Sequence, residues 1–247
     1  LGTRIGFLRQ SLEPISRQDT PADIVVVCPQ GATKARQLAQ QHNARILDDP
    51  GSLPKAINAG AAQLKPHHEF INWLGDDDLL EPQSLTTTTR TLDTNPEATV
   101  AFGACRYINE HNRELWVSRA GKWAPRILGW GPDLIPQPGM LVRANVWEKV
   151  NGVDESLTLA FDLDLLLKLK KTGPLIDCSQ ILASFRWHTT SLTAADRATN
   201  LAESELVKRR YLSPIQQKLK WSWEKPVRVA TKAAAYEVQR RAASAST

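Results

Sequence analysis

Apolar and polar residues alternate along the first part of the chain in a way that predicts strands and helices in turn. Continuous apolar runs predict buried strands at residues 23–28, 44–47, 69–74 and 99–104. Apolar residues spaced three or four positions apart predict helices at residues 7–17, 33–42, 54–64 and 82–92. This alternation predicts an α/β fold with a mostly parallel sheet flanked by helices.

The pattern in the second part of the chain is less regular. Residues 109–135 are rich in Gly, Pro and Trp, which indicates an irregular loop. A short helix is predicted at 142–149 and a longer one at 159–171, where Gly173 and Pro174 end it. A last strand is predicted at 179–187. We expect the folded domain to span residues 1–204.

Three consecutive carboxylates, Asp76, Asp77 and Asp78, follow the strand predicted at 69–74. Ligands of α/β sheets bind at the carboxyl ends of strands, which is where these residues fall. Adjacent anions repel one another, and a bound Mg²⁺ or Mn²⁺ ion would relieve that repulsion because such ions take oxygen ligands. A solvated acidic turn is the alternative reading.

The net charge of +5 comes from the C-terminal tail, residues 205–247, which holds ten Lys and Arg residues against three Glu. The rest of the chain is slightly acidic, so the charge does not indicate binding of nucleic acid. Cys28, Cys105 and Cys178 are widely spaced, which predicts neither a disulfide framework nor a zinc site. Such cysteine usage is typical of a reducing cytoplasm.

Four further motifs follow the acidic stretch in a fixed order. They begin with Gln137-Pro138-Gly139-Met140 and continue through 150–155, 161–169 and 185–193. Together with the acidic stretch, they resemble the inverting nucleotide-sugar glycosyltransferases of the GT-A fold, known as family two. The resemblance covers roughly residues 5–195. It implies transfer of a sugar from a nucleotide-diphosphate donor to a carbohydrate or lipid-linked acceptor hydroxyl, assisted by Mn²⁺ or Mg²⁺.

On the donor side, the resemblance implies that Asp77 binds the metal ion, with Asp76 in support. His188 corresponds to a residue that reaches the metal or the diphosphate. Lys55 and Asn58 match a segment that runs under the nucleotide and would contact the donor. The first aspartate of the family's acidic motif is replaced here by Gly75.

On the acceptor side, the resemblance implies that Asp162 is the catalytic base. The alternative reading of Asp162 is a carboxylate favoured at a helix start by the helix dipole. Gln137, Pro138 and Gly139 match an acceptor-side turn, and Gly139 would let the backbone approach the sugar. Asp164 lies on another face of the same helix and is predicted to be structural or to contact the acceptor.

Two departures from the family pattern leave other functions open. The family's first strand would precede Leu1, and we expect that the natural N-terminus is missing. The strand ending at Cys28 is followed by Pro29 rather than by the carboxylate that normally holds the nucleotide base. A non-catalytic carbohydrate-binding relic is therefore one alternative. A nucleotidyltransferase is another, although it would need a glycine-rich phosphate loop that the sequence lacks.

The basic tail contains two tryptophans, Trp221 and Trp223, among lysines. Basic residues beside aromatic ones are typical of segments that bind anionic membrane surfaces. This predicts a cytoplasmic protein held peripherally at the inner face of the membrane. A solvated helix that packs its tryptophans on the domain is an equally good interpretation.

Overall fold

The computed structural model describes residues 5–119, 121–187 and 197–219, with residues 221–222, 224–226, 229 and 240. The first part forms a small two-stranded sheet with helices around it. Its elements are α1 (Ile5–Ser16), β1 (Val25–Cys28), α2 (Thr33–Gln41), β2 (Arg45–Asp48) and α3 (Leu53–Ala61). Strands β1 and β2 are parallel, as predicted. Leu8 and Leu12 of α1 pack with Val26 and Cys28 of β1 in one apolar cluster.

A six-stranded sheet forms the rest of the domain. Its elements are β3 (Phe70–Ile71), β4 (Leu79–Leu80), α4 (Ser84–Asp93), β5 (Val100–Ile108), β6 (Glu114–Ser118), α5 (Ala124–Ile127), β7 (Leu141–Arg143), α6 (Ala144–Lys149), α7 (Phe161–Thr172) and β8 (Leu175–Arg186). The strand order is β3-β7-β5-β8-β4, and β6 pairs with β5. The predicted α/β architecture, a sheet flanked by helices, is confirmed.

Strand direction differs from the prediction of a mostly parallel sheet. Among the described residues, only the β5–β8 pairing of the larger sheet is parallel, and its other four pairings are antiparallel. A continuous apolar run shows that both faces of a strand are buried, but it carries no information about the direction of the neighbouring strand. Strand β6, which forms a hairpin with β5, lies inside the segment 109–135 that was predicted to be irregular, as does α5.

The central strand β5 is buried on both faces, which explains its unbroken apolar sequence. Val100 and Phe102 point to one side, where they pack with the apolar residues of α7. Ala101 and Cys105 point to the other side, where α4 covers the sheet. The segment predicted as a helix at 142–149 begins as β7, because Val142 pairs with both β3 and β5.

Two helices follow the sheet, α8 (Arg197–Tyr211) and α9 (Pro214–Leu219). The predicted domain boundary after residue 204 falls inside α8. Val207 and Leu212 lie beyond that boundary and are buried, so the packed unit extends at least to Leu212. Trp221 is 69% exposed, which argues against its packing on the domain. Within the described residues, no helix combines the length and apolar character needed to cross a bilayer.

Candidate functional site

The acidic residues after β3 form a tight turn whose members have different environments. The backbone N–H of Asp78 donates to the carbonyl of Gly75 at 3.3 Å, which closes the turn. Asp78 is buried, and burial together with the nearby charge of Asp77 raises its pKa to about 8. Asp76 and Asp77 are only half-buried. Asp78 therefore stiffens the turn, while Asp76 and Asp77 are the less buried carboxylates of the turn.

A buried guanidinium lies directly beneath this turn. Arg186 is fully buried, and its Nε donates to the carbonyl of Asp77 at 3.0 Å. Its backbone N–H donates to Oδ1 of Asp78 at 3.0 Å, and its Nη2 donates to Oε1 of Gln10 in α1 at 2.9 Å. A positive charge inside the protein thus offsets part of the repulsion among the carboxylates. The crowding of these residues alone therefore does not require a divalent cation, contrary to the expectation from the sequence.

Gly75 has a steric role in the same turn. A Cβ atom at this position would lie 2.8 Å from Oδ2 of Asp78 and 2.9 Å from Oδ1 of Asp77. An aspartate at position 75 would therefore displace the two carboxylates that follow it. Glycine at position 75, where the family motif has an aspartate, therefore fits the tight path of this turn.

The donor atoms of the acidic turn fit a hard divalent cation. Asp76 and Asp77 are adjacent, half-buried and supply oxygen ligands, which are the ligands that Mg²⁺ and Mn²⁺ prefer. His188, the third predicted ligand, lies outside the described residues. Gly75 has no side chain to contribute. Mg²⁺ is usually held by one or two carboxylates, while substrate oxygens and water fill its remaining coordination positions.

A second group of potential metal ligands lies at the opposite ends of the strands. The possible ligand atoms of Asp23, His67 and His68 all lie within 4.8 Å of one another. In the described part of the chain, no other group of three His, Cys, Asp or Glu residues is this close together. However, Nδ1 of His68 accepts the backbone N–H of Lys65 at 2.9 Å. The proton of a neutral His68 therefore resides on Nε2, which lies 3.0 Å from Asp23 and donates to it. This ring has no free lone pair for a metal ion.

Asp162 lies in the first turn of α7, and a second carboxylate faces it. Oδ1 of Asp162 accepts the backbone N–H of Leu163 at 2.8 Å. Asp133, in the loop before β7, accepts the N–H of Ile135 at 3.1 Å and interacts electrostatically with Asp162. Asp133 is an exposed residue, and Asp162 is half-buried.

The two carboxyl groups hold protons more tightly than ordinary aspartates. Although Asp133 is exposed as a whole residue, desolvation of its carboxyl group by the surrounding loop, followed by the negative charge of Asp162, raises its pKa to about 7. Burial also raises the pKa of Asp162 to about 6, against the effect of its backbone hydrogen bonds. The two groups interact, so these values belong to the pair. A carboxyl group that titrates near neutral pH suits proton transfer.

One hydrogen bond connects the acidic turn to the loop that carries Asp133. Nε2 of Gln137 donates to the carbonyl of Trp73 at 2.6 Å. Trp73 ends the segment that leads into the acidic turn, and Gln137 precedes β7, which is antiparallel to β3. The structure therefore brings the acidic turn and the acceptor-side turn together at one edge of the sheet.

The other predicted site residues have different placements. Lys55 is exposed on α3. The amide of Asn58 exchanges hydrogen bonds with the backbone of Val153 at 3.0 and 3.1 Å, so Asn58 fixes α3 to the turn before α7. Pro138 and Gly139 are buried.

Gly139 and Asp164 are both buried and packed against other parts of the protein. A Cβ atom on Gly139, whose φ is +80°, would lie 2.9 Å from the Cβ of Leu182. The glycine thus allows close approach of this turn to β8. Asp164 is 1% exposed, accepts the hydroxyl of Tyr211 at 2.9 Å and pairs with Lys168 at 3.0 Å. Of the two interpretations left open for Asp164, burial favours the structural one.

The sequence analysis did not identify three residues of this region: Arg186, Asp133 and Glu203. Arg186 lies within the 185–193 motif, and a charged residue in an apolar strand could have indicated a buried partner. Asp133 lies in a segment without periodicity. Glu203 belongs to α8 and bonds to the backbone of residues 158–160, far away in sequence.

Comparison with known proteins identifies the fold. No protein-family model and no curated protein matches the sequence. Among solved structures, S. aureus TarS (residues 1–349) matches with a TM-score of 0.56 and 16% identity, over 73% of this chain and 56% of TarS. The mannosyltransferase PcManGT from Pyrobaculum calidifontis, in complex with GDP-Man and Mn²⁺, matches with a TM-score of 0.60 and 15% identity, over 100% of this chain and 73% of its own. The chain therefore has a GT-A-like α/β fold.

Proposed function

We propose that the protein is an inverting glycosyltransferase that moves a sugar from a nucleotide-diphosphate donor to a hydroxyl of a carbohydrate or lipid-linked acceptor. The observation that supports this most strongly is the hydrogen bond from Gln137 to Trp73, 2.6 Å long. It joins the segment of the acidic turn to the loop of Asp133, whose carboxyl group interacts with Asp162. A candidate metal-binding turn and a candidate proton acceptor therefore share one site.

On the donor side, Asp76 and Asp77 would hold Mn²⁺ or Mg²⁺, together with His188. When bound, such an ion neutralises the charge of the departing diphosphate as a Lewis acid. Lys55 and Asn58 stay candidates for contact with the donor, since the exposed ammonium of Lys55 suits a phosphate. PcManGT, which has a similar fold, was solved in complex with GDP-Man and Mn²⁺.

On the acceptor side, Asp162 would act as the general base. The acceptor hydroxyl gives its proton to the carboxylate of Asp162 while its oxygen forms a bond to the sugar carbon. The bond from that carbon to the diphosphate oxygen breaks on the opposite face, so the configuration inverts in one displacement. Asp133 would accept a hydrogen bond from a neighbouring hydroxyl of the same acceptor, with Gln137 beside it.

A screen with sugar nucleotides and Mn²⁺ tests this function. Thermal unfolding of the protein is followed with GDP- and UDP-sugars, with and without Mn²⁺, because a ligand that binds the folded state raises its stability. The stabilising donor is then incubated with carbohydrate acceptors, and products are identified. Nucleoside diphosphate and a glycoside of inverted configuration are expected. Pyrophosphate would indicate a nucleotidyltransferase, and binding without turnover would indicate a non-catalytic relic.

The C-terminal residues support contact with an anionic membrane surface. Ile215 is 71% exposed and Leu219 is 51% exposed on α9, and the exposed Trp221 follows them. Lys218 and Lys225 lie among these apolar side chains. The full-length protein is expected to sediment with phosphatidylglycerol vesicles and not with phosphatidylcholine vesicles. Undiminished sedimentation after Ile215→Glu and Leu219→Glu would contradict this contact.

A further inference from the structure

Glu203 of α8 binds the turn from which α7 begins. Its Oε2 accepts the backbone N–H groups of Thr158, Leu159 and Ala160 at 3.1, 2.7 and 3.0 Å, and its Oε1 accepts that of Thr158 at 2.9 Å. Burial alone would raise the pKa of Glu203, but these hydrogen bonds outweigh it and hold the pKa below its ordinary value. The carboxylate is thus ionised, and both of its oxygens accept N–H groups of this turn.

The N-terminus of α7 needs such a partner. The first N–H groups of a helix have no acceptor within the helix. The N-cap residue of α7 is Ala160, which has no side chain that could cap it. Asp162 bonds to the N–H of Leu163, and Glu203 takes the three N–H groups that come before the helix. The carboxylates of Asp162 and Glu203 therefore accept different backbone N–H groups at the start of α7.

We propose that Glu203 is a positioning residue for Asp162, an inference that rests on the proposed role of Asp162 as the base. By occupying the N–H groups of residues 158–160, Glu203 leaves Asp162 facing Asp133. Without Glu203, those donors would be unsatisfied, and Asp162 is the adjacent anion that could turn to them. Such a rotation moves the proton acceptor away from the substrate, and small misplacements of this kind slow a reaction strongly.

Helix α8 also holds the other side of the carboxylate pair. Nζ of Lys208 donates to the carbonyl of Gly131 at 2.6 Å, two residues before Asp133. Lys208 is buried and interacts electrostatically with Asp133. Asp133 of the loop thus interacts with Asp162 and with Lys208 of α8, while Glu203 of α8 binds the turn that precedes Asp162. A single helix beyond the sheet fixes both segments that carry the pair.

Two substitutions of Glu203 separate its hydrogen bonds from its charge. Glu203→Ala removes both, whereas Glu203→Gln keeps one oxygen that can accept N–H groups. With the substrates of the proposed reaction, Glu203→Ala is expected to lower kcat about 10- to 100-fold and to leave the KM for the donor unchanged. Glu203→Gln should recover much of the kcat. Glu148→Gln, on the exposed surface of α6, is the matched control and should behave as the wild type.

A titration that needs no activity provides the second measurement. The pKa of Asp162 is read from its carboxyl carbon by NMR in the wild type and in Glu203→Ala. Removing a nearby anion, and freeing N–H groups that bind the ionised form of Asp162, both lower its pKa. The pKa is therefore expected to fall in the variant by about half a pH unit or more.

The outcomes of these measurements are distinguishable. If the wild type transfers no sugar, the proposed function fails, and the titration still decides whether Glu203 controls Asp162. A normal unfolding transition in Glu203→Ala with lowered kcat and a lowered pKa of Asp162 supports the inference. A folded Glu203→Ala variant with wild-type pKa of Asp162 overturns it, because Glu203 would then only support the fold.

Discussion

The acidic turn and the carboxylate pair are two clusters of aspartates that the protein treats differently. Asp76 and Asp77 lie above Arg186, whose buried guanidinium bonds to the backbone of the turn. For the pair of Asp133 and Asp162, the cation that interacts with Asp133 is the ammonium of Lys208. The first cluster is therefore compensated by a buried guanidinium and by the raised pKa of Asp78, whereas in the second cluster both carboxyl groups have raised pKa values.

This difference matches the two tasks of a glycosyltransferase. A turn whose negative charge is partly balanced by a buried guanidinium can present carboxylate oxygens to a metal ion that also binds a diphosphate. Two neighbouring carboxyl groups with raised pKa values exchange protons near neutral pH, as a general base must. The predictions below alter one cluster at a time and expect the other to stay unaffected.

Removing the buried guanidinium should produce the largest effect. Arg186→Met leaves the carbonyl of Asp77 and the buried Asp78 without their cationic partner, which is expected to cost about 3 kcal/mol or more of the free energy of unfolding. Urea unfolding measures this loss. Arg90→Met, on the exposed surface of α4, is the control. A loss no larger than that of the control would show that the turn does not depend on Arg186.

Neutralising the proposed base should affect turnover and not donor binding. Asp162→Asn keeps the shape of the side chain but cannot accept the proton, so kcat is expected to fall about 10²-fold or more. Donor affinity, measured by calorimetry, should be unchanged because the acidic turn is intact. Asp93→Asn, at the exposed end of α4, provides the control. Full activity of Asp162→Asn would remove this residue from the mechanism.

Adding one methyl group to the acidic turn should weaken its ligand binding. In Gly75→Ala the new Cβ lies within 3 Å of the carboxylates of Asp77 and Asp78, which must move. The affinity for Mn²⁺, measured by electron paramagnetic resonance, is expected to fall about tenfold. Gly31→Ala is the matched control, because no atom lies within 4 Å of its added Cβ. Equal affinities in the two variants would show that the turn does not set the metal site.

The pH dependence of kcat/KM tests the coupling within the pair. The base must be unprotonated, so activity should rise with pH through the pKa values of Asp162 and Asp133, between about 6 and 7. Asp133→Asn removes a like charge, which lowers the pKa of Asp162 and moves the acidic limb to lower pH. Asp19→Asn, an exposed aspartate, should leave the limb in place. An unmoved limb in Asp133→Asn would refute the coupling.

Local patterns predicted the elements better than their arrangement. The apolar runs located β1, β5 and β8, and the spacing of apolar residues located α7, because both signals depend on neighbours within a few residues. Strand direction and the pairing of Val142 with two other strands depend on distant segments. The hairpin that contains β6 went unrecognised because its turn residues suggested only irregular structure.

The same limit applies to the candidate site. Asp77 and Asp162 were found because each lies in a motif that is local in the sequence. The role of Arg186 depends on contacts with Gln10 and Asp77, and that of Asp133 on its approach to Asp162. Such contacts follow from the tertiary fold. The close approach of Gly139 to Leu182 of β8 also depends on the tertiary fold, and its predicted place beside an acceptor sugar stays a prediction.

Binding of Mn²⁺ in the presence of sugar nucleotides tests the central claim most directly. Free Mn²⁺ is measured by electron paramagnetic resonance with GDP-mannose and UDP-sugars for the wild type, for Asp77→Asn and for Asp23→Asn. We predict that a sugar nucleotide and Mn²⁺ bind together to the wild type and to Asp23→Asn, and that Asp77→Asn loses both. Binding that survives Asp77→Asn but disappears in Asp23→Asn would contradict the account.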